Sequence, residues 1–128
     1  MILLTVPEII KLHTTLTLRT GGSDGVRDMG LLESAVYSTE SGFGDIFLYP
    51  DIFQKSARLF YALTGNHAFV DGNKRIGLLV MLVTLRINGV RLRYTQQELI
   101  DLSLQAAQGN ISYEAALAWI LQHKEDSL

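Results

Sequence analysis

The sequence predicts an all-α domain of about six helices, and three observations carry that prediction. Apolar residues recur at helical rather than alternating spacing along most of the chain. Capping residues head the periodic runs, twice as complete Thr-x-x-Glu boxes. Only two prolines interrupt 128 residues that are 48% apolar and 19% charged, a globular balance far from that of a disordered chain. A chain of this length has room for one hydrophobic core, so residues 1–128 are expected to form a single domain.

The elements follow in order. Thr5-x-x-Glu8, with Pro7 in the first turn, opens a helix through Ile9, Ile10, Leu12 and Leu16 that stops at Gly21-Gly22. After a glycine-rich turn, Gly21 to Gly25, Asp28 is the N-cap of a short helix carrying Leu31, Leu32, Ala35 and Val36. Ser41 to Pro50 is the least helical stretch and is expected to be an exposed loop or flap. Asp51 caps a third helix ending at Gly65, with Phe53, Ala57, Phe60, Tyr61 and Thr64 on its inner face and Gln54, Lys55 and Arg58 away from it. Asn66 to Gly72 reads as a loop. Lys74 to Asn88 is apolar almost all round and therefore expected at the centre of the core. Val90 to Tyr94 reads as a short extended piece. Thr95-x-x-Glu98 opens a fifth helix that ends at Gly109, and Ser112 caps a last one bearing Ala115, Ala116, Trp119 and Ile120.

Composition excludes several functions. With 11 basic and 13 acidic residues the formal net charge is −2, which gives no field for binding nucleic acid or an anionic membrane. Cysteine is absent, which removes a disulfide scaffold, a thiolate zinc site and a cysteine nucleophile together. Met1 to Leu4 lack a basic flank, and the apolar run Ile76 to Leu85 is about half of a bilayer span, so no membrane segment is expected and the location is read as cytoplasmic.

The chemistry concentrates in His67-Ala68-Phe69-Val70-Asp71-Gly72-Asn73-Lys74-Arg75. A helix N-terminus offers free N–H groups and a positive dipole end, so Asp71-Gly72-Asn73 feeding a first turn with Lys74 and Arg75 makes an anion site. Gly72 lets the backbone approach a ligand closely. Asp71 is an oxygen ligand suited to Mg²⁺, which binds through one or two carboxylates plus substrate phosphates. His67 lies beside this site, and an ordinary imidazole pKa near ~6.5 suits a general base. Phe69 is expected to point inward and pin the loop. Taken singly, each residue has a plainer reading: a hydrogen-bonded loop histidine, or an ordinary Asp-Gly-Asn turn with a helix cap. A turn, however, needs no histidine, no buried aromatic and no paired Lys-Arg. The segment is not a calcium loop, since Arg75 and Ile76 stand at the fifth and sixth positions, and no G-x-x-x-x-G-K-[ST] loop occurs. His13 and His123 lack a histidine or acidic partner at metal spacing and read as structural or dipole-complementing.

The nine-residue segment resembles the H-x-F-x-D-[AG]-N-K-R signature of the death-on-curing (Doc) branch of the Fic/Doc superfamily, toxins of type II toxin–antitoxin modules. The run from Gly25 to Ala35 and the Gly89-Val90 pair after the central helix are similar to Doc sequences too, so the resemblance covers essentially the whole chain. It implies an all-α Fic/Doc fold and a protein kinase that moves the γ-phosphoryl group of ATP to a threonine of a translation factor, elongation factor Tu. It further implies His67 as the base, Asp71 as the Mg²⁺ ligand, and Gly72, Asn73, Lys74 and Arg75 as the phosphate cradle. Fic enzymes proper, which transfer AMP, carry a second glycine and a second arginine where this sequence has Lys74 and Leu78. AMP transfer is thus the alternative activity, and a catalytically silent interaction module the alternative from another class. No inhibitory [ST]-x-x-x-E-[GN] segment is found, so control in trans is expected, by an antitoxin that folds on binding. Between Asp71 and Glu98 there is no acidic residue, whereas Lys74, Arg75, Arg86, Arg91 and Arg93 fall in that interval. Arg86 reads first as a complement to its helix C-terminus, and alternatively the interval forms a docking surface for an acidic partner.

Overall fold

The computed structural model describes residues 1–125. Six helices account for the architecture: α1 (Val6–Thr20), α2 (Met29–Tyr37), α3 (Ile52–Gly65), α4 (Asn73–Ile87), α5 (Gln96–Ala107) and α6 (Tyr113–His123). Each expected cap is present, with Thr5, Asp28, Asp51, Thr95 and Ser112 accepting from the backbone three residues on. Thr5-Glu8 and Thr95-Glu98 close reciprocal capping boxes, as does Asp51 with Gln54.

The antiparallel pair α3 and α4 forms the spine, with core packed on both sides of it. Leu59 and Leu63 of α3 and Ile76 and Val80 of α4 meet Ile9, Leu32 and Phe69 on one side. Ala57 and Phe60 of α3 with Met81 and Leu85 of α4 meet Leu102, Ala106 and Ile120 on the other. The two helices approach closely at Gly77, where a Cβ would lie 2.5 Å from Thr64 Cγ2 and 3.2 Å from the Phe60 carbonyl. No described helix is long and apolar enough to cross a membrane.

Two expectations about α3 need correction. Lys55 is buried, its Nζ donating to the Thr39 carbonyl at 2.8 Å and facing Glu40 at 3.5 Å, whereas Tyr61 is 44% exposed. The cause is that α3 is covered on two sides, by α4 and α6 and by the 3₁₀ turn Ser38–Glu40, so its buried arc is wider than one amphipathic face. The stretch Ser41 to Pro50 is exposed as expected but not irregular. It folds as a hairpin of β1 (Gly42–Phe43) and β2 (Ile46–Phe47) about Gly44-Asp45, with Phe43 and Ile46 largely in solvent. The piece from Val90 to Tyr94 forms a single bridge, Leu92 to Lys124, which ties the chain after α4 to the end of α6.

Candidate active site

The loop between α3 and α4 is held by backbone groups of the α1–α2 junction. Arg27 and Asp28 both donate N–H to the Ala68 carbonyl, at 2.8 and 3.0 Å, and Val70 donates to Gly25 at 3.0 Å, so Val26 and Phe69 form an antiparallel bridge. Upstream, Asn66 Nδ2 donates to the Leu31 carbonyl at 2.7 Å. Phe69 points inward as expected, 1% exposed and stacked on the fully buried His13 with ring centroids 4.0 Å apart. His13 Nε2 in turn donates to the Asp71 carbonyl at 2.7 Å. The reading of His13 as structural therefore holds, and its work is to fix the site from behind. His123 is structural as well, donating to the Trp119 carbonyl from Nδ1 and pairing with Glu98 through Nε2 at 2.6 Å.

Gly72 adopts φ +74 and leads into α4. Unlike the other five helices, α4 has no side-chain hydrogen bond at its N-cap, so no capping oxygen occupies its first N–H groups. The Asn73 side chain turns its amide onto Phe69, accepting from the N–H at 2.9 Å and donating to the C=O at 3.1 Å, which leaves only its backbone N–H for the expected phosphate cradle. Asp71 accepts from Ser23 N–H at 3.2 Å on Oδ2 and from Gly72 N–H at 2.8 Å on Oδ1. These two backbone donors, with Arg75 nearby, hold its carboxyl below the usual carboxylate range, so it is ionised at neutral pH. Room for that carboxylate exists because residue 22 is glycine: a Cβ there would lie 2.6 Å from Asp71 Oδ2.

The two cations of the motif are parked on different neighbours. Lys74 Nζ donates to the Ala107 carbonyl at the end of α5, and Arg75 Nη1 to Thr20 Oγ1 at the end of α1. His67 is exposed, with a left-handed backbone at φ +55, and its carbonyl accepts from Arg27 Nε at 2.7 Å. A groove of about 490 Å³ opens beside the motif, bordered by Leu31, Ala35, Tyr61, Asn66 and Lys74. Sequence reasoning assigned no role to Arg27 or Ser23 and saw no link from His13 to the loop. The glycine-rich turn was the available signal, since a chain that must pass closely under another backbone needs residues without Cβ.

Residues 3–85, more than half of the chain, match the Fic/DOC family, and the chain belongs to that family. Among its relatives, the protein named Toxin Doc of Mycolicibacterium smegmatis is 43% identical over 72 residues, which is 56% of this chain and 55% of that protein. The chain thus spans about half the length of that relative. The protein named Protein kinase doc of Escherichia phage P1 is 36% identical over 107 residues, 82% of each chain. The fold, with six helices and a two-residue hairpin ladder, is the all-α domain that the motif led one to expect.

Proposed function

We propose that this chain is a Doc-type toxin, a kinase that transfers the γ-phosphoryl group of ATP to a hydroxyl of a translation factor, elongation factor Tu by family resemblance. The observation that carries this reading is the head of α4, an uncapped helix N-terminus behind Gly72 with an ionised Asp71 beside it; the exposed His67 lies in the loop that leads into it. The names of the two relatives, a toxin and a protein kinase, agree with it.

His67 takes the proton of the attacking hydroxyl on its imidazole. The free N–H groups of Asn73 and Lys74 bind the oxygens of the transferred group, and Lys74 and Arg75 leave their neutral acceptors for the phosphates. Asp71 suits Mg²⁺ as a single carboxylate because each of its oxygens accepts one backbone N–H and keeps lone pairs for a cation; among the described residues no cluster of three ligating side chains exists. A bound Mg²⁺ would neutralise charge developing on the phosphates. The groove beside the motif has the volume of a small-molecule site, and a nucleoside in it would lie next to Lys74.

The alternative of AMP transfer is disfavoured by Leu78, which packs into the second core cluster where an arginine would have to face a phosphate. The deciding experiment supplies ATP labelled separately at the α and γ positions to purified elongation factor Tu and to a cell lysate. Label from the γ position alone is expected, on a target that gains one phosphate in intact mass. Label from the α position would overturn the kinase reading.

Restraint by an antitoxin follows from the same resemblance. A groove lined by Leu82, Val83, Val90 and Leu92 carries Arg86 and Arg91 against one carboxylate, Glu125, and this positive balance suits an acidic amphipathic helix. A small acidic protein should restore growth by direct binding that raised salt weakens.

A further inference from the structure

We infer that Arg27 is a positioning residue for His67, acting through the hydrogen bond from its Nε to the His67 carbonyl; this rests on His67 being the base proposed above. Among the described residues His67 is the one non-glycine residue with a left-handed backbone, at φ +55. A residue with a Cβ stays there when its surroundings over-determine it. Its neighbours are fixed by other groups: Asn66 through Ala62 and Leu31, and the buried Ala68 through the N–H groups of Arg27 and Asp28. The peptide that follows His67 carries a carbonyl whose partner is the Arg27 side chain, at 2.7 Å. That bond sets the tilt of the peptide between two anchored residues, and with it the direction in which the imidazole leaves the backbone.

Arg27 is exposed, and its backbone N–H, not its side chain, makes the contact to Ala68. Trimming the side chain therefore leaves the bridge between Val26 and Phe69 in place. What is lost is the restraint on one peptide, so the expected signature is a fall in turnover without a change in nucleotide affinity.

The test uses the full chain carrying Arg27→Met or Arg27→Gln, with His67→Ala as control. Glutamine bears an NH₂ at the position where arginine bears Nε, so R27Q keeps the donor and drops the cation, while R27M drops both. Three quantities are read: turnover of γ-phosphoryl transfer to elongation factor Tu together with growth arrest on graded induction, the dissociation constant for ATP in magnesium, and the imidazole ¹H–¹³C resonance of His67. R27M should lower turnover by about tenfold, the factor that one well-made hydrogen bond commonly carries. Its ATP affinity should stay within about twofold of wild type, since no nucleotide contact is removed. Its His67 resonance should shift or broaden, and R27Q should recover most of both losses. Wild-type turnover in R27M overturns the inference, and so does an equal loss in R27Q, which would make the cation rather than the hydrogen bond the active feature. Should H67A itself arrest growth, the reading of His67 as base fails, and the resonance alone decides: an unshifted His67 signal in R27M refutes the positioning.

Discussion

Replacing Asn73 by alanine should destabilise the protein although it removes no apolar surface. The Asn73 amide closes a two-point clamp on Phe69, accepting its N–H at 2.9 Å and donating to its carbonyl at 3.1 Å. Each bond contributes about 0.5–1.5 kcal/mol net, and an unsatisfied backbone group in a partly buried place adds a cost of about 1–3 kcal/mol. Because water can reach part of this region, the lower half of that range applies, and a loss of roughly 2–3 kcal/mol is expected. For a domain of this size each kcal/mol lowers the midpoint by about 4 °C, so thermal unfolding should fall by roughly 10 °C. Asn73→Asp keeps the acceptor but sets a carboxylate oxygen against the Phe69 carbonyl, and should lose about as much at neutral pH. The assay is a calorimetric or circular-dichroism melt, backed by urea unfolding to confirm an unchanged slope. An N73A midpoint within about 2 °C of wild type would show that the clamp is replaced by solvent and would refute its structural role.

Gly77→Ala should cost about 1–3 kcal/mol, because the new methyl would stand 2.5 Å from Thr64 Cγ2 and 3.2 Å from the Phe60 carbonyl in the α3–α4 contact; urea unfolding measures it, and a neutral result would mean that the helices can part there freely. Gly22→Ala should displace the Asp71 carboxylate, since its Cβ would fall 2.6 Å from Oδ2, and so weaken ATP binding in magnesium more than in EDTA; equal affinities in both would count against Asp71 as the metal ligand. Glu98 is held below the ordinary carboxylate range first by the Thr95 N–H and then by His123, so its stabilising share is full above a pH of about 4.5 and is lost as pH falls through the lowered folded value. Glu98→Gln keeps the capping box and removes the charge, so the stability gap between wild type and E98Q should close in that acid window; a gap that persists to the lowest pH would rule out the Glu98 carboxylate charge as its source.

What the sequence disclosed, and what it hid, divides along local and non-local lines. Helix starts were legible because caps act within one turn: Thr5, Asp28, Asp51, Thr95 and Ser112 each bond three residues ahead. The inward Phe69 was legible from its place in a loop between His67 and Asp71. Burial of Lys55 was not, since its partner Thr39 lies 16 residues away and a helix covered on two sides shows no single polar face. Nor was the clamp made by the Asn73 side chain, whose amide reaches back four residues to Phe69. The clasp of Ser23, Arg27 and His13 on the motif joins residues 40 to 58 apart, and such pairings are set by tertiary packing.

The motif thereby splits into residues that build the loop and residues that the loop presents. Phe69, Gly72 and Asn73 spend their side chains or their lack of one on shape: a buried ring, a left-handed turn and a two-point clamp. His67, Asp71, Lys74 and Arg75 carry the ionisable groups. The last two rest on neutral acceptors, a carbonyl and a hydroxyl, and a phosphate would exchange each of these bonds for one to an oppositely charged acceptor. That exchange favours the anion without any rearrangement of the helix, because the backbone of α4 is already anchored by Gly72 and Asn73. On the proposed reaction, the cost of ordering the site is thus met during folding rather than at the moment of transfer, which is the condition under which fixed dipoles and charges stabilise a phosphoryl transition state.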